Sequence, residues 1–581
     1  MKKDSTILEH KRHSLAHLLA AAVLELWPDA KRTIGPAIDD GFYYDFDFPK
    51  KISEQDLKAI EIKMREIYKT WDKFEGQEVS VAEAKKEFKA NEYKMELIEE
   101  FSKEGSKLTF YKSGNYTDLC RGGHADSMQD IKPDSWKLDR LAGAYWRGDE
   151  KNKMLTRIYG LAFDNKKELD EYIHMRSEAK KRDHKIIGPE LDLFTFSELV
   201  GGGLPLWTPK GTLMRNILND FVWQLRKVRG YEQVEIPHIT KKDLYETSGH
   251  WDKFKNELFK IETREKHIFA MKPMNCPHHT QIYKRKKWSY RELPQRYANT
   301  TMVYRDEQSG ELAGLSRVRS ITQDDAHVFC RSIQVAEEAN KIWDIVHEFY
   351  QAVGFTLEIR LSLHDPKAMD KYLGTEKVWQ QAEEELRKVI KEHKVDFVEA
   401  IGEAAFYGPK IDFMAKDSIG REWQVATIQL DMNLPERFDL SCVNEKGQDE
   451  RIVMVHAAIM GSIERYLSII IEHFAGAFPT WLSPVQVKIL PVGSAHHEYC
   501  LELAKEFRTQ GIRCEVDDAN ETIGNKIRKT EKEKVPYSLV IGDKEMGSEN
   551  LALRVRGSRE LETLTREEFT KKITKEVLEK K

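Results

Sequence analysis

The period of the hydrophobic pattern changes several times along the chain, and each change marks an element. Near the start, Leu15, Leu18, Leu19, Ala22 and Val23 recur at helical spacing, with His13 and His17 four apart on one helical face. The aromatic run GFYYDFDF (41–48) follows, and Ser53 with Asp56 reads as a capping box opening a helix that carries Leu57, Ile60, Met64 and Ile67 on one side. Residues 164–190 are densely charged and helical in propensity, and Gly188-Pro189 is expected to stop that helix. Beyond it, residues 213–228 form a helix ending at Gly230, and YEQVEIP has strand character up to Pro237. Residues 334–353 form a helix on Ile342, Ile345, Val346 and Phe349. TLEIRLSLH, FYGPKIDFMAKD and REWQVATIQLDM read as strands, and RIVMVHAAIMGSIERYLSIIIEHF is a strand followed by an apolar helix. Residues 484–581 alternate strand and helix as βαβαβ and close on a charged helix.

These patterns divide the chain into a mixed α/β domain (1–163), a charged linker helix (164–190), a large domain (191–483) and a small α/β domain with a mostly parallel sheet (484–581). In the large domain the expected core is an antiparallel sheet flanked by helices. A doubly wound parallel sheet does not fit the pattern.

Arg296 to Phe329 carries the densest chemistry. Two extended runs are joined by a loop with Gly310 and Gly314 that holds Arg305, Glu307, Arg317 and Arg319. In the second run Gln323, Asp325 and His327 alternate, so a strand aims all three to one face and turns Asp324 and Ala326 away. An amide, a carboxylate and an imidazole are costly to bury together without a ligand, so the stretch reads as a small-molecule and anion site. The plainer alternative is a surface hairpin with solvated charges. Cys276 lies between two prolines in MKPMNCPHH, and a lone cysteine is most often a small buried hydrophobe. Arg465 falls in the first turn of a helix, where the macrodipole disfavours a cation and an anion would compensate. Gly201-Gly202-Gly203 lacks the Lys-Ser or Lys-Thr of a phosphate loop. His13, His17, Cys120 and His124 make a zinc-ligand inventory, although a histidine pair four apart is equally ordinary helix surface. In the last domain Asn520, Lys526, Arg528, Arg554 and Arg556 suit a polyanion.

Composition sets limits. The 581 residues are 40% hydrophobic and 33% charged, enough for several cores. No apolar run of about 18 residues and no signal-peptide core is present, so no membrane span and a cytoplasmic location are expected. The 6 cysteines are scattered and do not resemble a disulfide framework. A net charge of −4 argues neither for nor against nucleic acid.

VYRDE with the downstream RVR resembles motif 2 of class II aminoacyl-tRNA synthetases, GSIER resembles motif 3, and VEIP with Pro237 resembles motif 1. TQDDAH, MKPMNCP, AFYGPKIDF and FAGAFPTWLSPVQV narrow the resemblance to the threonyl-tRNA synthetase family, over essentially the whole chain. It implies an α+β / α/β multidomain protein: an α+β editing domain (1–163), the linker helix (164–190), a class II catalytic domain (191–483) and an anticodon-binding domain (484–581). It implies that Cys276, His327 and His456 hold one Zn2+ per subunit, that Asp325 accepts from the threonine hydroxyl, and that Gln323 and Tyr407 lie near its amine. Arg305 would hold the carboxylate and α-phosphate, Arg317 the γ-phosphate and Arg465 the opposite flank. Glu307 and Gln424 would orient the nucleoside, and Mg2+ would accompany ATP. Gln429 is also at a family position, but strand alternation sets it opposite Gln424 unless a bulge or turn intervenes.

For the first domain the resemblance replaces the zinc reading with a metal-free pocket that hydrolyses seryl-tRNA, built from His13, His17, Cys120 and His124 and supported by Lys94 and Asp118. Asn520, Arg528, Glu545 and Arg554 are its anticodon readers. The implied substrates are L-threonine, ATP and tRNA(Thr), and the implied assembly is a homodimer through motif 1. HxxxH falls at residues 13–17, so the small TGS domain that commonly precedes it in the family is expected to be absent, and the sequence further departs from the family pattern in His278 for glycine, Gly123 for proline and Ala457 for arginine. A non-catalytic RNA-binding or regulatory relative would show eroded motif arginines or zinc ligands, and a class II enzyme for proline or serine would not need this zinc set. Arg305, Arg317, Arg465, Cys276, His327 and His456 are all present.

Overall fold

The structure, a computed structural model, describes residues 2–581, with side chains from Thr6 onward. The chain forms two compact units, Met1–Ser177 and Glu178–Lys581.

In the first unit the helix Lys2–Leu26 buries Leu15, Leu18, Leu19, Ala22 and Val23, the apolar face that the spacing predicts. That face packs on an antiparallel sheet containing Gly41–Asp47, Met154–Ala162 and Trp136–Tyr145, and on the helix Asp56–Tyr68 through Ile60, Met64 and Ile67. The capping box of this second helix is only half made. The Asp56 carboxylate accepts the Ser53 N–H at 2.7 Å and its hydroxyl at 3.0 Å, but Gln55 occupies the cap position and gives no side-chain bond. A separate antiparallel sheet, Glu75–Val79, Leu108–Ser113 and Tyr116–Leu119, presents Asp118 and delivers Cys120 at its end.

The charged linker is two helices, Lys166–Lys181 and His184–Glu190, and the expected stop at Gly188-Pro189 is overturned, since both residues lie inside the second. The break comes earlier because Asp183 accepts the Lys185 N–H at 2.9 Å and starts a fresh helix. Pro189 removes one donor from a helix of 7 residues, and the Leu191 N–H still closes on the Ile187 carbonyl at 2.9 Å.

The second unit is organised by an eight-stranded sheet. Its order is Glu232–Gln233, Gln295–Tyr304, Ser320–Cys330, Val453–Ala458, Glu422–Asp431, Lys410–Lys416, Leu357–Leu363 and Phe397–Ile401. All neighbours are antiparallel except the two edge pairs. The strand expected over YEQVEIP shortens to Glu232–Gln233. The helix expected from residue 213 begins at Pro209, because the Thr208 hydroxyl accepts the Gly211 N–H at 3.2 Å and proline is favoured just inside a helix start. Helices Pro209–Lys227, Val335–Gln351 and Ile463–Phe474 contribute Leu218, Phe349 and Ile470 to one core with the sheet. The last stretch builds a sheet of parallel Cys514–Val516, Val487–Pro491 and Tyr537–Ile541, extended by antiparallel Asn550–Val555 and Leu561–Thr565.

Candidate active site and a second cleft

The hairpin Gln295–Tyr304/Ser320–Cys330 pairs Asn299 with Asp325 and Tyr297 with His327, so Gln323, Asp325 and His327 share a face. Asp324 points the other way, where its carboxylate accepts the N–H groups of Ile459 (2.9 Å) and Met460 (3.0 Å) and pairs with buried Arg226. The next strand brings His456 opposite His327, with Nδ1 and Nε2 3.1 Å apart. Cys276 begins the helix Cys276–Lys284. Its sulfur and the two imidazole nitrogens lie within 4.8 Å of one another, all buried. The remaining ring nitrogens are engaged: His456 Nε2 with Asp431 Oδ2 at 3.0 Å, and His327 Nδ1 with His279 Nδ1 at 2.7 Å. One thiol and two imidazoles whose outer nitrogens are held is a donor set that fits a tetrahedral zinc with one position left for a ligand.

Around this cluster, Asn275 donates to Asp325 at 3.0 Å, and the Tyr407 hydroxyl donates to Gln429 at 2.9 Å while its ring stacks on His456. Lys272, which donates to Thr301 at 2.8 Å, is pushed down to about 8 by burial, against the pull of Asp325.

The hairpin loop supplies the cations. Arg317 pairs with Glu307 at 2.7 Å and Glu311 at 3.3 Å, and Arg319 donates to the Glu307 carbonyl at 3.0 Å. Among the described residues Arg305 and Arg465 have no carboxylate partner. Arg465 lies in the first turn of Ile463–Phe474, whose cap Ser462 bridges to Gln323. The bulge that Gln429 requires is present: the register shifts at Phe413/Met414, pairing Met414 with Gln424 and Phe413 with Ala426. Val425 is the extra residue, and Gln424, Thr427 and Gln429 therefore fall on one face, with Gln424 donating to Thr427 (3.1 Å) and to Asp412 (2.7 Å).

The first unit holds a cleft of about 410 Å³ lined by His13, His17, Tyr44, Lys94, Asp118 and Cys120, among others. The Cys120 sulfur is 3.5 Å from both His13 Nε2 and His124 Nε2. His13 Nδ1 faces the Gly123 carbonyl at 3.2 Å, and His124 Nδ1 faces Ser14 at 3.4 Å. Burial pushes the Cys120 thiol up to about 11 and the His124 imidazole down to about 3, and it lowers His13 and His17 too. Below them Asp118, fully buried, accepts from Lys94 (2.7 Å), Tyr44 (2.5 Å), Tyr116 (2.8 Å) and the Leu119 N–H (2.9 Å), with Arg32 Nε at 3.3 Å. Burial disfavours its charge, but Lys94 and Arg32 win, and the carboxyl titrates well below the usual range. By distance alone His13, His17, Cys120 and His124 would also suit a metal, since their donor atoms lie within 4.8 Å of one another.

Gly123 sits at φ +82°, closed to proline, so this loop takes a course the usual residue could not. His278 is buried against Tyr245, and the histidine that meets His327 is its neighbour His279. Ala457 is buried, and its carbonyl accepts from Arg226 at 3.3 Å. In the last domain Asn520 and Arg528 are exposed, Glu545 accepts the Gly542 N–H at 2.9 Å, and Arg554 lines a cleft of about 570 Å³ with Lys534, Arg556 and Arg559. Sequence reasoning missed Lys272, Asn275, His279, Asp431 and Tyr44. The first three lie within the quoted MKPMNCPHH run, and polar residues so close to Cys276 were a usable signal. Asp431 and Tyr44 carried no such mark.

The antiparallel sheet, the arginine-bearing hairpin and the arginine of the following helix define a class II synthetase core. Residues 259–474 match the family described as tRNA synthetase class II core domain (G, H, P, S and T). Residues 486–576 match the anticodon binding domain, and 108–159 the threonyl and alanyl tRNA synthetase second additional domain. The threonine–tRNA ligase of Porphyromonas gingivalis is 48% identical over 572 residues, covering 97% of this chain and 87% of that one. That of Gloeobacter violaceus is 46% identical, covering 98% and 92%. A crystal structure titled as the RNA binding domain of threonyl-tRNA synthetase from Cryptosporidium parvum matches with a TM-score of 0.65 at 38% identity, over 68% of this chain and 98% of that one. The chain belongs to the threonine–tRNA ligase family. No helix among the described residues is long and apolar enough to cross a membrane.

Proposed function

We propose that the chain activates L-threonine with ATP, transfers it to the 3′ end of tRNA(Thr), and hydrolyses seryl-tRNA(Thr) in the cleft of its first unit. The observation that carries the reading is the buried set of Cys276, His327 and His456 beside Asp325, with Arg305 and Arg465 lacking a carboxylate partner among the described residues. A zinc ion held by those three residues supplies a Lewis-acidic anchor for an amine and a neighbouring hydroxyl. Asp325 accepts the threonine hydroxyl proton, and Gln323 and Tyr407 receive the amine. Valine leaves Asp325 without its donor and is rejected strongly, whereas serine keeps the hydroxyl and enters.

The carboxylate then attacks the α-phosphate in line and pyrophosphate leaves, a step that needs positioning and charge rather than a side-chain nucleophile. Arg305 neutralises the carboxylate and α-phosphate, Arg317 exchanges its Glu307 and Glu311 contacts for the γ-phosphate, and Arg465 screens the opposite flank. Glu307, Gln424 and Gln429 hold the nucleoside, and Mg2+ travels with the phosphates. A hydroxyl of the terminal tRNA adenosine next attacks the activated carbonyl and releases AMP. Serine's entry calls for the second site. There burial lowers His13, His17 and His124 and so favours their neutral forms near pH 7, leaving ring nitrogens free to accept hydrogen bonds and orient a water, while Cys120 stays a thiol and Lys94 and Asp118 hold the floor. We assign this site no metal. Asn520, Arg528, Glu545 and Arg554 read the anticodon, the chain acts as a homodimer, and its place is the cytoplasm.

The test is amino-acid-dependent ATP–pyrophosphate exchange before and after zinc removal. Exchange with threonine, weaker exchange with serine, almost none with valine or proline, and loss on chelation are expected. No exchange from folded, zinc-loaded protein would overturn the enzyme reading, and exchange surviving chelation would overturn the metal assignment.

A further inference from the structure

The hairpin loop that carries Arg317 is pinned by a residue from outside the sheet. His184, in the short helix His184–Glu190, is 4% exposed, and its two ring nitrogens do different work. Nδ1 lies 2.6 Å from Glu472 Oε1, and Glu472 also pairs with Arg421 at 2.6 Å, so a negative carboxylate faces Nδ1 and fixes the proton there. Nε2 is then bare and accepts the Leu315 N–H at 3.0 Å. Leu315 is fully buried in the main core, two residues before Arg317, and its neighbour Ser316 meets Ser468 at 3.0 Å. Gly314, at φ +56°, lies so close that a Cβ there would run into His184 Nε2. One imidazole thus joins the hairpin loop to Glu472 in the helix that also bears Arg465.

Arg317 is held by Glu307 and Glu311, so a phosphate must compete with two carboxylates for it. Whether the guanidinium can trade one set of oxygens for the other depends on a fixed point at the base of its turn. The Ala313–Arg317 turn closes on itself, with the Ala313 N–H donating to the Arg317 carbonyl at 3.2 Å, so moving Leu315 moves the whole turn.

We propose that His184 is the positioning residue of the nucleotide loop: accepting at Nε2 with its proton fixed at Nδ1, it sets the reach of Arg317 towards the ATP phosphates. The inference rests on the reading of Arg317 as a phosphate contact.

Two near-isosteric changes separate the two nitrogens. His184→Asn keeps a donor near Nδ1 for Glu472 but leaves the buried Leu315 N–H without an acceptor. His184→Gln places an amide oxygen near Nε2 and keeps that bond. In the full-length, zinc-loaded protein, His184→Asn should raise KM for ATP about tenfold and leave KM for threonine and zinc content unchanged, while His184→Gln should stay near the parent. Gly314→Ala, which breaks the same contact from the loop side, should repeat the rise, and it decides the matter if His184→Asn does not fold. Arg317→Ala is measured in parallel. If it leaves KM for ATP unchanged, the phosphate reading fails. If it raises KM while His184→Asn and Gly314→Ala do not, or if His184→Gln is as impaired as His184→Asn, the positioning role is overturned.

Discussion

Asp118 tests the second cleft by its charge alone. Asp118→Asn keeps the size of the side chain and removes the anion beneath His17 and Cys120. The carboxylate is shared by Lys94 at 2.7 Å and Arg32 at 3.3 Å, and both it and Lys94 are almost fully buried. Arg32 has other support, donating to the Thr117 carbonyl at 2.6 Å and lying over the Tyr116 ring. Lys94 keeps no carbonyl partner among the described residues, only the Tyr44 hydroxyl at 3.5 Å and the Phe88 ring at 5.9 Å, so its ammonium is the group left poorly compensated. Removing one partner of a buried pair costs about 3–5 kcal/mol, most of it the penalty of the charge left behind. Lys94→Met should cost less, about 1–3 kcal/mol, because Asp118 keeps Arg32, two tyrosine hydroxyls and the Leu119 N–H. The double variant, with no orphan, should be more stable than Asp118→Asn alone. Since a chain with several cores does not unfold in one step, the assay is hydrogen exchange at the amides of Leu108–Ser113 and Tyr116–Leu119. There the single variant should lose about two to four orders of magnitude of protection. Hydrolysis of seryl-tRNA should fall with it, and threonine-dependent pyrophosphate exchange should not. An Asp118→Asn protein within about 1 kcal/mol of the parent, or a double variant less stable than the single, would refute the charge argument.

Further outcomes follow from the same geometry. Asp431→Asn weakens the hold on His456 Nε2 and should lower zinc affinity about 10- to 100-fold, read by competition with a chromophoric chelator. Lys272 is depressed to about 8, so between pH 8 and the ordinary 10.5 the unfolded chain binds its proton more tightly and stability rises with pH. The cost of its burial is therefore fully present at pH 7 and gone by pH 10.5, and Lys272→Met should raise hydrogen-exchange protection along the adjoining strand Ile268–Met271 at pH 7 and leave the stability derived from it almost unchanged at pH 10.5. Gly123→Pro, favourable on chain entropy alone, should instead destabilise the first unit and slow seryl-tRNA hydrolysis, because the position needs φ +82°. Unchanged or increased hydrogen-exchange protection in the first unit would contradict that geometry.

What the sequence made legible was side-chain direction over short distances. Alternation placed Gln323, Asp325 and His327 on one face because a strand's period is local, and helical spacing found the buried side of Lys2–Leu26 for the same reason. The partners were not legible by spacing. Nothing local ties Cys276 to His327 and His456, or His184 to Leu315, and these groupings come from sheet order and packing, or in the case of the zinc set from family resemblance. The linker was misread because Asp183 looks like one more charge in a charged run, although it works as a cap.

The Gln424–Gln429 pair shows that some of the missing information was present in another form. Strict alternation sets the two amides on opposite faces, and the structure sets them on the same one by inserting Val425 at a bulge. Along Glu422–Asp431 the inward positions run Ala426, Ile428 and Leu430, with Val425 buried beside Ala426. Two adjacent small apolar residues inside an alternating strand break the parity that the rest of the strand keeps, and a buried pair of this kind is what an extra residue on one strand produces. Read that way, VA within QVATIQ predicts that whatever lies before it changes face. On that pattern alone Gln424 returns to the side of Thr427 and Gln429. The polar positions depend on this apolar pair, because the core decides where the strand must slip and the amides follow.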